Sequence, residues 1–236
     1  MEIKIHSIER LAAIRRPPDY SGRHVEKVGD PAPSPIVVLD ERVLVATHDA
    51  AIAADHEVCG LLLGTFVSWS DRDYVEVTRA LAGTTTDAGA SHVKFTASTW
   101  SSMLEVKERE HSSLTIVGWY HSHPHLGVFM SSDDLEIQRA FFPEPWQLGL
   151  VIDPHLSGFG LFVNAQNDVI RLDGFHFVRD QDPAAQASHT ITQAKRSALL
   201  RPGGTTFIYA RTPLPHGTMP RGVARLTGMF RKPTRG

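Results

Sequence analysis

Apolar positions along the chain fall into blocks whose spacing changes from one to the next. Ile36-Val37-Val38-Leu39 is short and β-branched, which predicts a strand, and Asp40 is placed to cap a helix over 41–54. Val58–Val67 and Tyr74–Leu81 are β-rich runs on either side of the polar stretch Ser68–Asp73, the layout of a hairpin. His92–Phe95 reads as a further strand, and Ala97–His111 has helical composition and period. Leu114–Tyr120 has the look of a buried strand and runs straight into His121-Ser122-His123-Pro124. A helix is expected from Ser131 through Phe142, with Asp133 and Glu136 placed as a capping box. Trp146–Ile152, Gly158–Val163 and Val169–Phe177 supply three more strands. Strands and helices mixed in this order, with no internal repeat, indicate an α/β or α+β domain around a central sheet over residues 36–180.

The ends read differently. Residues 1–35 join an amphipathic start (Ile3, Ile5, Ile8, Leu11, Ile14) to a proline-broken connector, so the compact domain is expected to begin near Ile36. Residues 181–236 are rich in Pro and Gly. Beyond Asp182 there is no acid, so residues 1–182 carry 15 basic against 26 acidic side chains, while the tail carries nine basic ones. That tail reads as a solvated extension able to dock on the acidic body, and nucleic acid is not the favoured partner. No apolar run approaches the ~20 residues that span a bilayer, and the first residues lack the layout of a secretory signal, so neither membrane insertion nor export is expected. A single cysteine, Cys59, excludes an internal disulfide and a cysteine-rich zinc finger, which fits a cytoplasmic protein. Flanked by valine, glycine and leucine, it reads as a buried small hydrophobe.

One constellation carries chemistry. His121 and His123 stand two apart at a strand end, and that spacing sends both imidazoles to one face. Asp134 follows in the first turn of a helix, and Pro124 and Gly127 provide for the return of the chain between them. Two histidines and one carboxylate make the ligand count of a zinc site that keeps a position open for water. Each residue alone is ordinary: acids favour the first turn of any helix, and Ser131 is equally a helix cap. The joint pattern His-x-His-Pro-x6-Ser-x2-Asp at the end of a buried strand is not. Metallo-β-lactamase-like hydrolases want Asp and then His soon after the pair, where this chain has Pro124, His125 and Leu126. Amidohydrolase barrels need a longer chain. His125 is read as an exposed loop residue, and His111, His155 and His176 are assigned nothing.

The joint pattern resembles the JAMM (MPN-type) metalloprotease family. The family pairs it with an upstream glutamate before an apolar, glycine-bearing strand, and His56-Glu57-Val58-Cys59-Gly60-Leu61-Leu62-Leu63-Gly64 fits that element. Val93–Thr96, Val117–Tyr120 and Leu150–Pro154 also look like family strands, and the similarity covers residues 36–180. The resemblance implies a central mixed sheet flanked by helices, in a cytidine-deaminase-like layout. It implies that His121, His123 and Asp134 bind one zinc per chain, that Glu57 is the general acid and base, and that Ser131 steadies the oxyanion.

The implied function is cleavage of an isopeptide or peptide bond after the terminal glycine of a ubiquitin-like modifier. The partners are then that protein or its conjugates, with proteins of a conjugation operon as further candidates. Two other readings stand beside it: processing of a modifier precursor or sulfur-carrier protein, and a catalytically inert MPN-type scaffold. No cysteine-bearing insertion lies between Asp134 and Trp146, so the second zinc site of some polyubiquitin-specific relatives cannot be built. In this respect the core looks like bacterial JAMM proteins.

Overall fold

In a computed structural model, the structure describes residues 20, 23–32, 34–54, 56–69, 71–83, 96–156, 158–166 and 168–180. The expected strand at 92–95, the amphipathic start and the basic tail lie outside these residues.

The described chain forms nine strands and three helices. In order they are β1 (Arg23–Gly29), β2 (Ile36–Asp40), α1 (Glu41–Ala53), β3 (Cys59–Trp69), β4 (Arg72–Ala82), α2 (Ala97–His111), β5 (Thr115–Ser122), α3 (Ser132–Phe141), β6 (Leu148–Asp153), β7 (Gly158–Ala165), β8 (Asp168–Arg171) and β9 (Gly174–Asp180). All the strands join one sheet in the order β1-β9-β2-β4-β3-β5-β6-β7-β8. Pairings of β2 with β4, β2 with β9 and β5 with β6 are parallel and the rest antiparallel, so the sheet is mixed and the fold is α+β.

Both faces of the central strands are buried, which is why β3, β5 and β6 read as unbroken apolar runs rather than as alternating ones. Leu62, Tyr120, Leu150 and Ile152 point to one face, where Val43, Leu44 and Ala51 of α1 pack. Leu61, Leu63, Trp119 and Val151 point to the other, covered by Trp100 and Met103 of α2 and by Phe142 at the end of α3. Gly118 permits the close approach of β5 to β6: its φ is 154°, and a Cβ there would lie 2.0 Å from the Leu148 carbonyl oxygen. The sheet is curled. Only Leu172 and Asp173 separate β8 at one edge from β9 near the other, and Phe159 of β7 meets Phe175 of β9 with ring centroids 5.7 Å apart.

Three expectations need correction. The stretch read as a connector contains β1, which pairs with β9 along its length. Its residues are mostly exposed at a sheet edge, so no apolar alternation announces it. The run Val169–Phe177 is two strands, because the chain leaves β7 after β8 and crosses to pair with β1 and β2. The capping box of α3 is Ser131 with Asp134, in place of Asp133 with Glu136: the Ser131 side chain accepts the Asp134 N–H, and the Asp134 carboxylate accepts the Ser131 N–H.

Candidate metal centre

β5 lies between β3 and β6; His121 stands near its carboxyl end and His123 follows directly after its last residue. His123 N–H is held by the Ile152 carbonyl at 2.8 Å, so β6 fixes the backbone between the two imidazoles and the loop beyond. The capping box fixes Asp134 from the other side, with the Ser131 N–H 2.7 Å from Asp134 Oδ2. The chain between strand and helix turns at two residues with positive φ, His125 at 62° and Gly127 at 88°.

Those restraints bring His121, His123 and Asp134 together as a buried cluster. His121 Nε2 lies 3.0 Å from His123 Nε2, and Asp134 Oδ2 lies 3.3 Å and 3.5 Å from the two nitrogens. With metal–ligand bonds of ~2.0–2.1 Å, tetrahedral ligands sit roughly 3.3 Å apart, so this donor triangle has the edges that zinc requires.

Electrostatics agree with the geometry. Burial drives the His121 imidazole toward its neutral form, and contact with Asp134 only partly opposes this, so a ring nitrogen keeps its lone pair. Burial works to raise the Asp134 pKa, but hydrogen bonding with His121 and His123 more than offsets it and holds the carboxyl well below its usual range. His123 Nδ1 is 3.2 Å from the Gly127 carbonyl, which can only accept; Nδ1 therefore carries a proton, and Nε2 is the ring atom turned to the triangle. His121 stacks on the Trp119 indole at 4.5 Å, and Trp119 Nε1 donates to Gln138 Oε1 at 2.7 Å. The Nδ1 of His121 is buried and has no hydrogen-bond partner among the described residues.

Glu57 lies outside the triangle. Val58 grips Ser122 twice, accepting its N–H at 2.9 Å and donating its own N–H to the Ser122 hydroxyl at 3.0 Å. Cys59 is paired with His121, so Glu57 stands two residues before the start of β3, the strand that flanks β5 at the end where the two histidines lie. Burial, with the charge of Glu57 second, pushes the Cys59 thiol up to about 12, so this wholly buried cysteine is no nucleophile. His125 is exposed and stacks on His155 with centroids 3.8 Å apart, and it is not one of the three clustered donors.

Other residues that shape the centre carry no sequence signal of their own. The Gly127 carbonyl, Trp119 and Gln138 act on the histidines, and the first of these is a backbone group that no side-chain pattern marks. Gln138 reads as one more polar position of α3, yet it is wholly buried.

Comparison with known proteins places the same stretch. Residues 35–142 match the family described as JAB1/Mov34/MPN/PAD-1 ubiquitin protease. NAD(+) hydrolase TcpA of a Theionarchaea archaeon is 28% identical over 170 residues, 72% of this chain and 46% of that protein. The 26S proteasome regulatory subunit RPN11 of Eremothecium gossypii is 33% identical over 135 residues, 56% of this chain and 42% of its own length. Ubiquitin carboxyl-terminal hydrolase RPN11 of Saccharomyces cerevisiae is 31% identical over 149 residues, 61% of this chain and 46% of its length. The chain thus spans less than half of each of these relatives. The matched residues hold all three corners of the donor triangle together with Glu57 and Ser131, and over this stretch the chain is similar to the JAMM/MPN family.

Proposed function

We propose that this protein is a zinc-dependent peptidase that cleaves after the carboxy-terminal glycine of a ubiquitin-like modifier. The observation that carries this reading is the donor triangle with edges of 3.0, 3.3 and 3.5 Å. His121 and His123 offer imidazole nitrogens and Asp134 a carboxylate oxygen, the donor set of an open zinc site. A complete set favours an enzyme over an inert scaffold. Zinc, when bound, supplies Lewis acidity at the scissile carbonyl and acidifies a water for attack.

The chain's own groups do the rest. Glu57 takes a proton from the attacking water and delivers one to the leaving amine. Ser131 accepts the Asp134 N–H through its oxygen, which leaves its hydroxyl hydrogen to donate to the oxyanion that develops on the carbonyl. The substrate class is supported by the family and by relatives named for ubiquitin hydrolysis. The name NAD(+) hydrolase belongs to a protein more than half of which lies outside the match.

The test is incubation of purified protein with a panel of glycine-tailed ubiquitin-like fusions, with and without chelator. Cleavage after the glycine is expected, lost on chelation and restored by zinc, while Glu57→Gln keeps the metal and loses about 10²–10⁴-fold in turnover. Equal cutting of free peptides without regard to the residue before the scissile bond would instead mark a general zinc peptidase.

A further inference from the structure

Asp153 at the end of β6 is wholly buried, and it lies in neither the ligand set nor the proposed acid-base machinery. Its carboxylate joins two loops. Oδ2 accepts the Gly127 N–H at 2.7 Å, and Oδ1 accepts the N–H groups of His155 and Leu156 at 3.0 Å each and of His125 at 3.4 Å. The loop after β5 and the turn after β6 are thereby held as one body, and the stacked rings of His125 and His155 lie across the seam.

One of these bonds leads directly to the metal centre. The Gly127 peptide that is held through its N–H presents its carbonyl to His123 Nδ1 at 3.2 Å. Gly127 has φ 88°, a conformation that only glycine adopts freely, and a Cβ there would meet nothing within 4 Å. The glycine is therefore required by backbone direction and not by lack of space.

We propose that Asp153 is a positioning residue for the metal centre: it anchors Gly127, whose carbonyl fixes the tautomer and ring angle of His123 so that Nε2 faces the donor triangle. Partners one step behind a metal ligand typically contribute 10–100-fold in metal affinity. Asp153 stands a step further back, and its effect reaches the metal only through Gly127 and His123. The inference rests on the zinc reading of the site, and the experiment separates the two.

The measurement is zinc affinity by competition with a chromophoric chelator, together with the visible spectrum of the cobalt-substituted protein. In Asp153→Asn the three N–H groups on one side keep the amide oxygen, and the amide nitrogen is left facing the Gly127 N–H. Zinc binding is expected to weaken about 10-fold or more, with altered cobalt bands. Gly127→Ala strains the same peptide without touching Asp153 and should shift both readouts in the same direction; it decides the matter if Asp153→Asn does not fold. Val75→Ala, in the core of the opposite face, lowers the melting temperature and should leave affinity and spectrum unchanged. Wild-type affinity and spectrum in both loop variants overturn the role of Asp153 alone. Absence of zinc binding by the wild type overturns the metal reading itself.

Discussion

Two buried carboxylates in this molecule sit at helix starts and have opposite fates. Asp40 caps α1 and Asp134 is the third residue of α3; they are 2% and 5% exposed, and both have their pKa lowered although burial alone would raise it. The difference lies in what faces them. Asp40 accepts the Arg42 N–H at 2.9 Å and Nε at 2.8 Å, and it also pairs with the guanidinium of Arg23. A guanidinium has donors only and never gives up its charge, so this cluster is closed, and its work is to tie β1 to the junction of β2 and α1. Asp134 faces two imidazoles, whose ring nitrogens can present a lone pair to a cation, so that cluster is left with a use for one. An acid at a helix start says little by itself; its neighbours decide between scaffold and chemistry.

The largest effect comes from removing the charge at each place in turn. Asp134→Asn should lower bound zinc from about one equivalent per chain to near none and abolish turnover, with the fold retained. Asp40→Asn should keep metal and turnover but lose roughly 2–3 kcal/mol of stability, since it weakens charged hydrogen bonds to two arginines that can still reach water. Elemental analysis and calorimetry of the two variants check this. Zinc lost from Asp40→Asn and kept in Asp134→Asn would reverse the comparison.

The two clusters were not equally legible in the sequence. The triangle could be read because strand spacing puts His121 and His123 on one face and because Asp134 falls in the first turn of an expected helix; both are local rules, although the capping box expected of Asp133 and Glu136 is made by Ser131 and Asp134. The Asp40 cluster depends on Arg23, which reaches it through the pairing of the edge strand β1 with β9, a contact between residues far apart in sequence. The same holds for Asp153, whose four partners are all backbone N–H groups and leave no trace in side-chain identity. The core strands were legible in outline because burial on both faces makes them continuous apolar runs. The break between β8 and β9 carries only a brief signal, the polar turn pair Asp173-Gly174, which the reading of Val169–Phe177 as one strand passes over.

Acid sharpens the contrast with a smaller effect. Because the folded-state pKa of Asp40 lies below its unfolded value, its contribution is present above about pH 4 and is lost as pH falls through the folded pKa. Asp134 is lowered too, so the acid sensitivity of the wild type contains both groups. The difference in melting temperature between wild type and Asp40→Asn isolates the first. That difference should be constant from neutral pH down to about 5 and shrink below 4. A gap that widened with acid would mean that the arginines do not stabilise the Asp40 carboxylate.

The smallest effect on stability is expected at Ser131, which has the capping role at α3 that Asp40 has at α1. Ser131→Ala removes the acceptor for the Asp134 N–H and should cost about 1 kcal/mol, whereas glycine is nearly as good a cap as serine, and Ser131→Gly should cost only a few tenths. Both lack the hydroxyl hydrogen assigned to the oxyanion, so both should lose turnover to the same extent, about 10²-fold, while keeping zinc. Melting curves and single-turnover rates on one modifier fusion therefore separate the two roles of one side chain. If turnover followed stability, falling in the alanine variant and surviving in the glycine one, Ser131 would be a cap only, and its contribution would come from holding Asp134 in the triangle.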